Sequence, residues 1–121
     1  MPKRILIVDD QPFVLKILTV QLVAHGYVVL SASNGEEMMA KLSAFKPDAI
    51  VMDVMMPGMD GVQLADRLGE SPATATTPII FHSALISPRQ PEDSPTNPYH
   101  HYLGKSFEPE ALLNLLQRIG V

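Results

Sequence analysis

Residues 5–10 read ILIVDD: four consecutive apolar side chains stop at two aspartates. A half-exposed strand alternates apolar and polar positions, because successive side chains leave opposite faces of a sheet. An unbroken apolar run marks instead a strand covered on both faces, the habit of parallel sheets. The signature returns at YVVL (27–30), AIVM (49–52) and PIIF (78–81). Between these runs apolar residues recur at helical spacing: Phe13, Ile17, Leu18 and Leu22, then Met38, Leu42 and Phe45, then Val62, Ala65 and Leu68. His25-Gly26 supplies a helix stop, Asn34 a cap before GEEMMAKL, and Glu108-Pro109 a helix start. The final stretch EALLNLLQRI sets Leu112, Leu113, Leu116 and Ile119 on one face.

This pattern predicts strands over 4–8, 27–31, 48–52, 78–82 and, more weakly marked, 101–103, with helices over 12–25, 35–45, 61–69 and 109–119. Strands alternating with helices require right-handed crossovers, which gives an α/β fold with a doubly wound parallel sheet. Its expected strand order is the flavodoxin-like 2-1-3-4-5, in a single domain over 1–121. One stretch breaks the rhythm. Where a fourth helix is due, ISPRQPEDSPTNPYHH (86–101) carries Pro88, Pro91, Pro95 and Pro98. Pro88 fits a first turn, but three interior prolines would cost ~3 kcal/mol each, a total of ~9 against a domain stability of ~5–15 kcal/mol. The expectation is at most one turn near 88–91 and then an extended or mobile loop to about 99, so that a Pro-rich loop largely replaces the fourth helix.

Composition narrows the function. A net charge of −4 with no Lys/Arg cluster argues against capture of nucleic acid or an anionic membrane. The opening MPKRILIVDD resembles neither a signal peptide nor an anchor, and no apolar run approaches the ~20 residues of a spanning helix, so a cytoplasmic location is expected. The chain has no cysteine, which rules out disulfides and thiolate metal sites.

In doubly wound sheets ligands bind beyond the carboxyl ends of the strands. At those ends stand Asp9 and Asp10, Asp53, Ser83 and Lys105. Each alone has a plain reading: an aspartate after a strand is often a helix cap, Asp53 in MDVMMPGMDG could form a turn, and a lone Ser or Lys carries little information. Their placement at equivalent ends of neighbouring strands is what suggests one pocket. Three carboxylates so close would repel and raise at least one pKa. A hard divalent cation such as Mg²⁺ removes the conflict and could bring a phosphoryl group to the remaining carboxylate oxygen, with Lys105 and Ser83 meeting its other oxygens.

ILIVDD, VMDVMMPGMDG, FHSA and YLGKSF, in this order and spacing, resemble the receiver domain of two-component response regulators over nearly the whole chain. The resemblance implies that Asp53 accepts a phosphoryl group from a histidine kinase or a histidine phosphotransfer protein. It implies Mg²⁺ held by Asp10 and Asp53, by Asp9 through water and by the Met55 carbonyl. Lys105 would pair with the phosphoryl group, Ser83 would move to meet it, Ala84 would keep the pocket open and Tyr102 would turn inward as the switch. Downstream protein partners would dock on the face of the fourth helix, fifth strand and fifth helix.

There are departures. Lys105-Ser106 stands where the family usually has a cis Lys-Pro bond, and a cis bond before serine costs ~3 kcal/mol, so a trans bond is expected. Met55 and Leu85 offer apolar cover to a phosphoryl group, which suggests slow hydrolysis of phospho-Asp53. Adjacent His100 and His101 point to opposite faces of a strand and so do not form a metal pair, while His82 points away from Ser83 as a core histidine. Met55, Met56 and Met59 read as packing. Three other readings stay open: a pseudo-receiver that binds partners without phosphorylation, an aspartyl-phosphate hydrolase or phosphotransferase lacking a general acid behind its nucleophile, and, more weakly, a flavodoxin.

Overall fold

The apolar run that opens the chain becomes β1 (Arg4–Val8), the strand on which the rest of the sheet is laid. It is followed by α1 (Pro12–Ala24), β2 (Val28–Ala32), α2 (Gly35–Phe45), β3 (Ala49–Asp53), α3 (Gly61–Glu70), β4 (Ile79–Ser83), β5 (Glu92–Asp93), β6 (His100–Gly104) and α4 (Glu110–Arg118). The structure, a computed structural model, describes residues 2–54, 61–83, 92–105 and 110–121. Expected and observed elements coincide within a residue or two, the usual uncertainty of element ends. Strands β2, β3 and β4 each lie one residue later than expected, so Asp53 and Ser83 are the last residues of their strands.

The strand order is β2-β1-β3-β4-β6-β5. Its first five members are parallel and give the expected 2-1-3-4-5 order. The sixth, β5, is an unanticipated edge strand antiparallel to β6. It belongs to the proline-rich stretch, of which residues 92–99 are described and none is helical. Expected as an extended or mobile loop, this part is a β-hairpin. Ser94 N–H donates to His100 O at 3.0 Å, and Ser94 Oγ accepts from Asn97 N–H at 3.2 Å. Pro95 and Pro98 fall in its turn, where a missing N–H breaks no ladder bond. The expectation of a turn near 88–91 lies outside the described residues.

The continuous apolar strands are explained by two cores. Leu6, Val8, Ile50, Met52, Ile79 and Phe81 pack against α2 and α3. Ile5, Ile7, Ala49, Val51, Ile80 and Leu103 pack against α1 and α4. Alternate side chains serve opposite faces, so a sheet covered on both sides needs both parities apolar. Local chemistry sets the helix ends. Pro12 occupies the first turn of α1, and the Asn34 side chain caps α2 by accepting from Glu37 N–H at 2.7 Å. Gly26, at φ 90, ends the turn after α1 in a conformation that suits glycine.

Candidate functional site

With strand ends aligned, the polar residues that follow the apolar runs meet above the centre of the sheet. Asp9, Asp10 and Asp53 each offer a carboxylate oxygen, and these lie within 4.8 Å of one another. Asp9 and Asp53 are 2% and 7% exposed, whereas Asp10 faces solvent. Lys105, just past β6, spans the two buried acids: its Nζ is 3.0 Å from Asp9 Oδ2 and 3.2 Å from Asp53 Oδ2. It also donates to Gln11 Oε1 at 3.3 Å. The Lys105 backbone N–H donates to Ser83 O at 2.8 Å, which ties the end of β4 to the lysine. Ser83 itself is buried at that end.

The electrostatics follow from the crowding. Burial pushes the Asp9 carboxyl above the usual aspartate range and the neighbouring Asp53 adds to this, while Gln11 N–H and Lys105 oppose it. Burial by itself would lower the Lys105 ammonium, but its contacts with Asp9 and Asp53 outweigh that and raise it. One cation therefore faces a cluster of three acids. Asp9 Oδ1 accepts from Gln11 N–H at 2.9 Å, but its buried Oδ2 makes no well-formed hydrogen bond among the described residues, with Lys105 Nζ 3.0 Å away. A buried, under-coordinated carboxylate oxygen beside two more acids fits a hard divalent cation that takes oxygen ligands.

His82 leaves β4 on the face opposite Ser83, in register with Asp53 and Leu103. It is the core histidine expected: burial, with Lys105 second, lowers its pKa to about 4, so it is neutral near neutral pH. Tyr102 is half-buried and stacks on Phe81 with ring centres 5.0 Å apart, on the face that carries α2 and α3. His100 meets the edge of the same Phe81, whereas His101 turns the other way to Asp93 at 2.7 Å. The two histidines do point apart. Met55, Met56, Met59, Ala84, Leu85 and the Lys105–Ser106 bond lie outside the described residues.

Two participants escaped the sequence reading. Gln11 follows the paired aspartates directly, and both its backbone N–H and its side chain serve the site. Gly61 opens α3 against the end of β3: its N–H donates to Val54 O at 2.7 Å. A Cβ there would lie 2.6 Å from Asp53 O and 3.0 Å from Val54 Cα. The glycine closing the GMDG run was the available signal, and it was read only as part of a turn.

Comparison with known proteins agrees with this geometry. The sequence model of the response regulator receiver domain matches residues 5–117. Protein PilH of Pseudomonas aeruginosa is 34% identical over 116 residues, which cover 96% of each chain. The chain superposes on chemotaxis protein CheY4 of Vibrio cholerae with a TM-score of 0.82 at 29% identity, covering 98% of this chain and 99% of that one. It also superposes on the response regulator TrrA of Thermotoga maritima, solved in complex with Mg(2+)-BeF, with a TM-score of 0.79 at 29% identity over 97% and 98% of the two chains. In several longer curated relatives the matching part is less than half of the protein. Among the described residues no helix is long and apolar enough to cross a membrane.

Proposed function

The chain belongs to the response regulator receiver domain family, the phosphorylation-controlled switches of two-component systems, and from that premise we propose that Asp53 is its phosphoacceptor and Mg²⁺ its cofactor. The observation that carries this reading is the bridge made by Lys105 between the buried Asp9 and Asp53 within a cluster of three carboxylates. An Asp53 carboxylate oxygen attacks the phosphorus of a phosphohistidine on a histidine kinase or phosphotransfer protein. The P–N bond breaks, its electron pair returns to the imidazole, and Asp53 becomes an acyl phosphate.

Asp10 and Asp53 would hold Mg²⁺, with Asp9 through water and the Met55 carbonyl completing the protein's share; bound there, the ion neutralises charge on the transferring group. Lys105, 3.2 Å from Asp53 Oδ2, would shift from that carboxylate to a phosphoryl oxygen on it. Ser83, at the adjacent strand end, would accept the role of hydrogen-bond donor to the phosphoryl group, and Tyr102 would report its movement. The chain catalyses only its own phosphorylation and dephosphorylation, in the cytoplasm. Phe13, exposed in the first turn of α1 four residues after Asp9, would offer the phosphodonor an apolar contact. Downstream partners would use the face of β6 and α4.

Intact mass after incubation with acetyl phosphate tests this, with and without Mg²⁺, for the native chain and Asp53→Asn. One added phosphoryl group that requires both Mg²⁺ and Asp53 is the expected result. An adduct that persists in Asp53→Asn, or none at all, would overturn the assignment and favour a partner-binding domain without phosphorylation.

A further inference from the structure

At the opposite end of the sheet, where Pro47 and Thr77 lead into the amino ends of β3 and β4, lies a cavity of about 510 Å³ between α2, α3 and the 71–77 segment. This volume falls in the ~300–1,000 Å³ range of small-ligand sites. Its apolar wall is aliphatic, built from Met39, Leu42, Pro47 and Leu68, and among the described residues no aromatic ring lines it. The charged side chains among the described lining residues, Lys46 and Arg67, are both cations, and no described carboxylate lines it. Neither cation has an ion-pair partner among the described residues, in a chain whose net charge is −4.

The cavity is built rather than incidental. The 71–77 wall is folded on itself: Thr74 Oγ1 donates to Leu68 O at 2.6 Å and Ala75 N–H to Ser71 O at 2.8 Å. Lys46 closes α2 in the left-handed conformation, φ 52, with its N–H donating to Leu42 O at 2.9 Å. Glycine or asparagine ordinarily takes that position. A lysine there sets a long cationic side chain at the cavity rim at a conformational cost, and such outliers gather where a side chain is used. Asp66, the acid next to Arg67 in sequence, makes no ion pair with it.

We propose that this cavity binds a small amphiphile with an aliphatic body and an anionic head, the body on Met39, Leu42 and Leu68 and the head between Lys46 and Arg67. The head meets a fork of guanidinium donors and an ammonium, a combination suited to a carboxylate or a phosphate. The occupant needs no phosphorylation of Asp53, because its ligands lie at the other end of the strands.

The test is a titration of the full chain with decanoate below its micelle concentration, followed by backbone amide shifts. Decanol, with the body and no charge, and acetate, with the charge and no body, are the comparators. Saturable shifts confined to residues 39–47 and 67–77, with decanoate favoured over both, are expected. The double variant Lys46→Asn/Arg67→Gln should weaken decanoate about tenfold or more, as expected when charge-assisted bonds are lost, and Ala73→Trp, which fills the cavity, should abolish it. Both cations are exposed, so unchanged melting is the check that the double variant is folded. Equal binding of decanol and decanoate, shifts that centre on the exposed apolar residues of α1, or affinity untouched in both variants would each overturn the proposal.

Discussion

Two glycines of the same helix should respond to alanine in opposite directions. Gly61 stands against backbone: its Cβ would lie 2.6 Å from Asp53 O and 3.0 Å from Val54 Cα. Neither atom can turn aside as a side chain could, so α3 must back away from the end of β3. Overpacking of this kind costs about 1–3 kcal/mol. Alanine's helix preference returns at most ~1 kcal/mol of it. The net loss, up to ~2 kcal/mol when the full helix preference is returned, should lower Tm by up to roughly 8 °C, at about 4 °C per kcal/mol for a domain of this size. Gly69 meets nothing within 4 Å and has an ordinary helical backbone. There alanine should gain ~0.5–1 kcal/mol and raise Tm by roughly 2–4 °C. Thermal unfolding followed by circular dichroism, with urea midpoints as a second reading, measures both. Gly61→Ala should also slow the acetyl phosphate reaction, because the Asp53 carbonyl lies directly beneath the new methyl. A Gly61→Ala variant that melts as high as Gly69→Ala would refute the close approach of α3 to Asp53.

Asp9 carries the metal-linked prediction. Its folded pKa is raised, so between the ordinary 3.8 and that higher value the folded chain holds a proton that the unfolded chain has released. Stability without Mg²⁺ therefore falls as pH rises through this window. Millimolar Mg²⁺ should offset the loss above it, by ~1.4 kcal/mol when present at about ten times its Kd, and by little in acid where protons compete. Equal stabilisation on both sides of the window, read from melting curves, would show that the ion binds elsewhere. Lys105→Met should leave Asp9 and Asp53 opposed and shift the Asp9 titration further up. The native chain's Lys105 contribution is complete below 10.5 and lost as pH rises through its raised value, so the stability gap between native and variant must close in strong alkali. A gap constant with pH would mean that lost packing, not charge, is responsible. Asp93→Asn should loosen the β5–β6 hairpin, because Arg118 donates to Asp93 at 3.0 and 3.1 Å and His101 lies 2.7 Å away. Arg118 first, then His101, lower Asp93 to about 2, so this tie is present above the usual carboxylate range and is lost as pH falls through about 2. Both charged side chains are half-exposed, and ~1 kcal/mol is a ceiling. Ser94 amide exchange about fivefold faster in the variant is the expected reading, and no change would dismiss the tie.

Much of the fold was legible because its strands are covered on both sides. Runs such as Ile5–Val8 and Ala49–Met52 must be apolar at every position, and nothing else in a short chain needs that. The site was legible for a related reason: Asp9, Asp10, Asp53, Ser83 and Lys105 stand at or just past the carboxyl ends of neighbouring strands. What stayed hidden depends on distance in three dimensions. Gly61 needed the approach of a backbone that no local pattern announces, and Gln11 needed a lysine 94 residues away. The hairpin hid behind its prolines. They forbid a helix, but they say nothing against a turn, and the pairing of Asp93 with His101 carries too little side-chain pattern across two residues to be read in advance.

That hairpin also divides the molecule by sequence distance. The His101–Asp93 contact closes over 8 residues, whereas the parallel pairings of β1 with β2 and of β3 with β4 join segments at opposite ends of a strand–helix–strand unit. Local closures of this kind form in about 1–10 μs, and long crossovers are slower by orders of magnitude. The edge can therefore open and reclose as a cooperative unit of its own while the five parallel strands keep their register. A change begun at the Lys105 end of β6 can be absorbed beside Asp93 without unpicking the sheet that holds the three aspartates together.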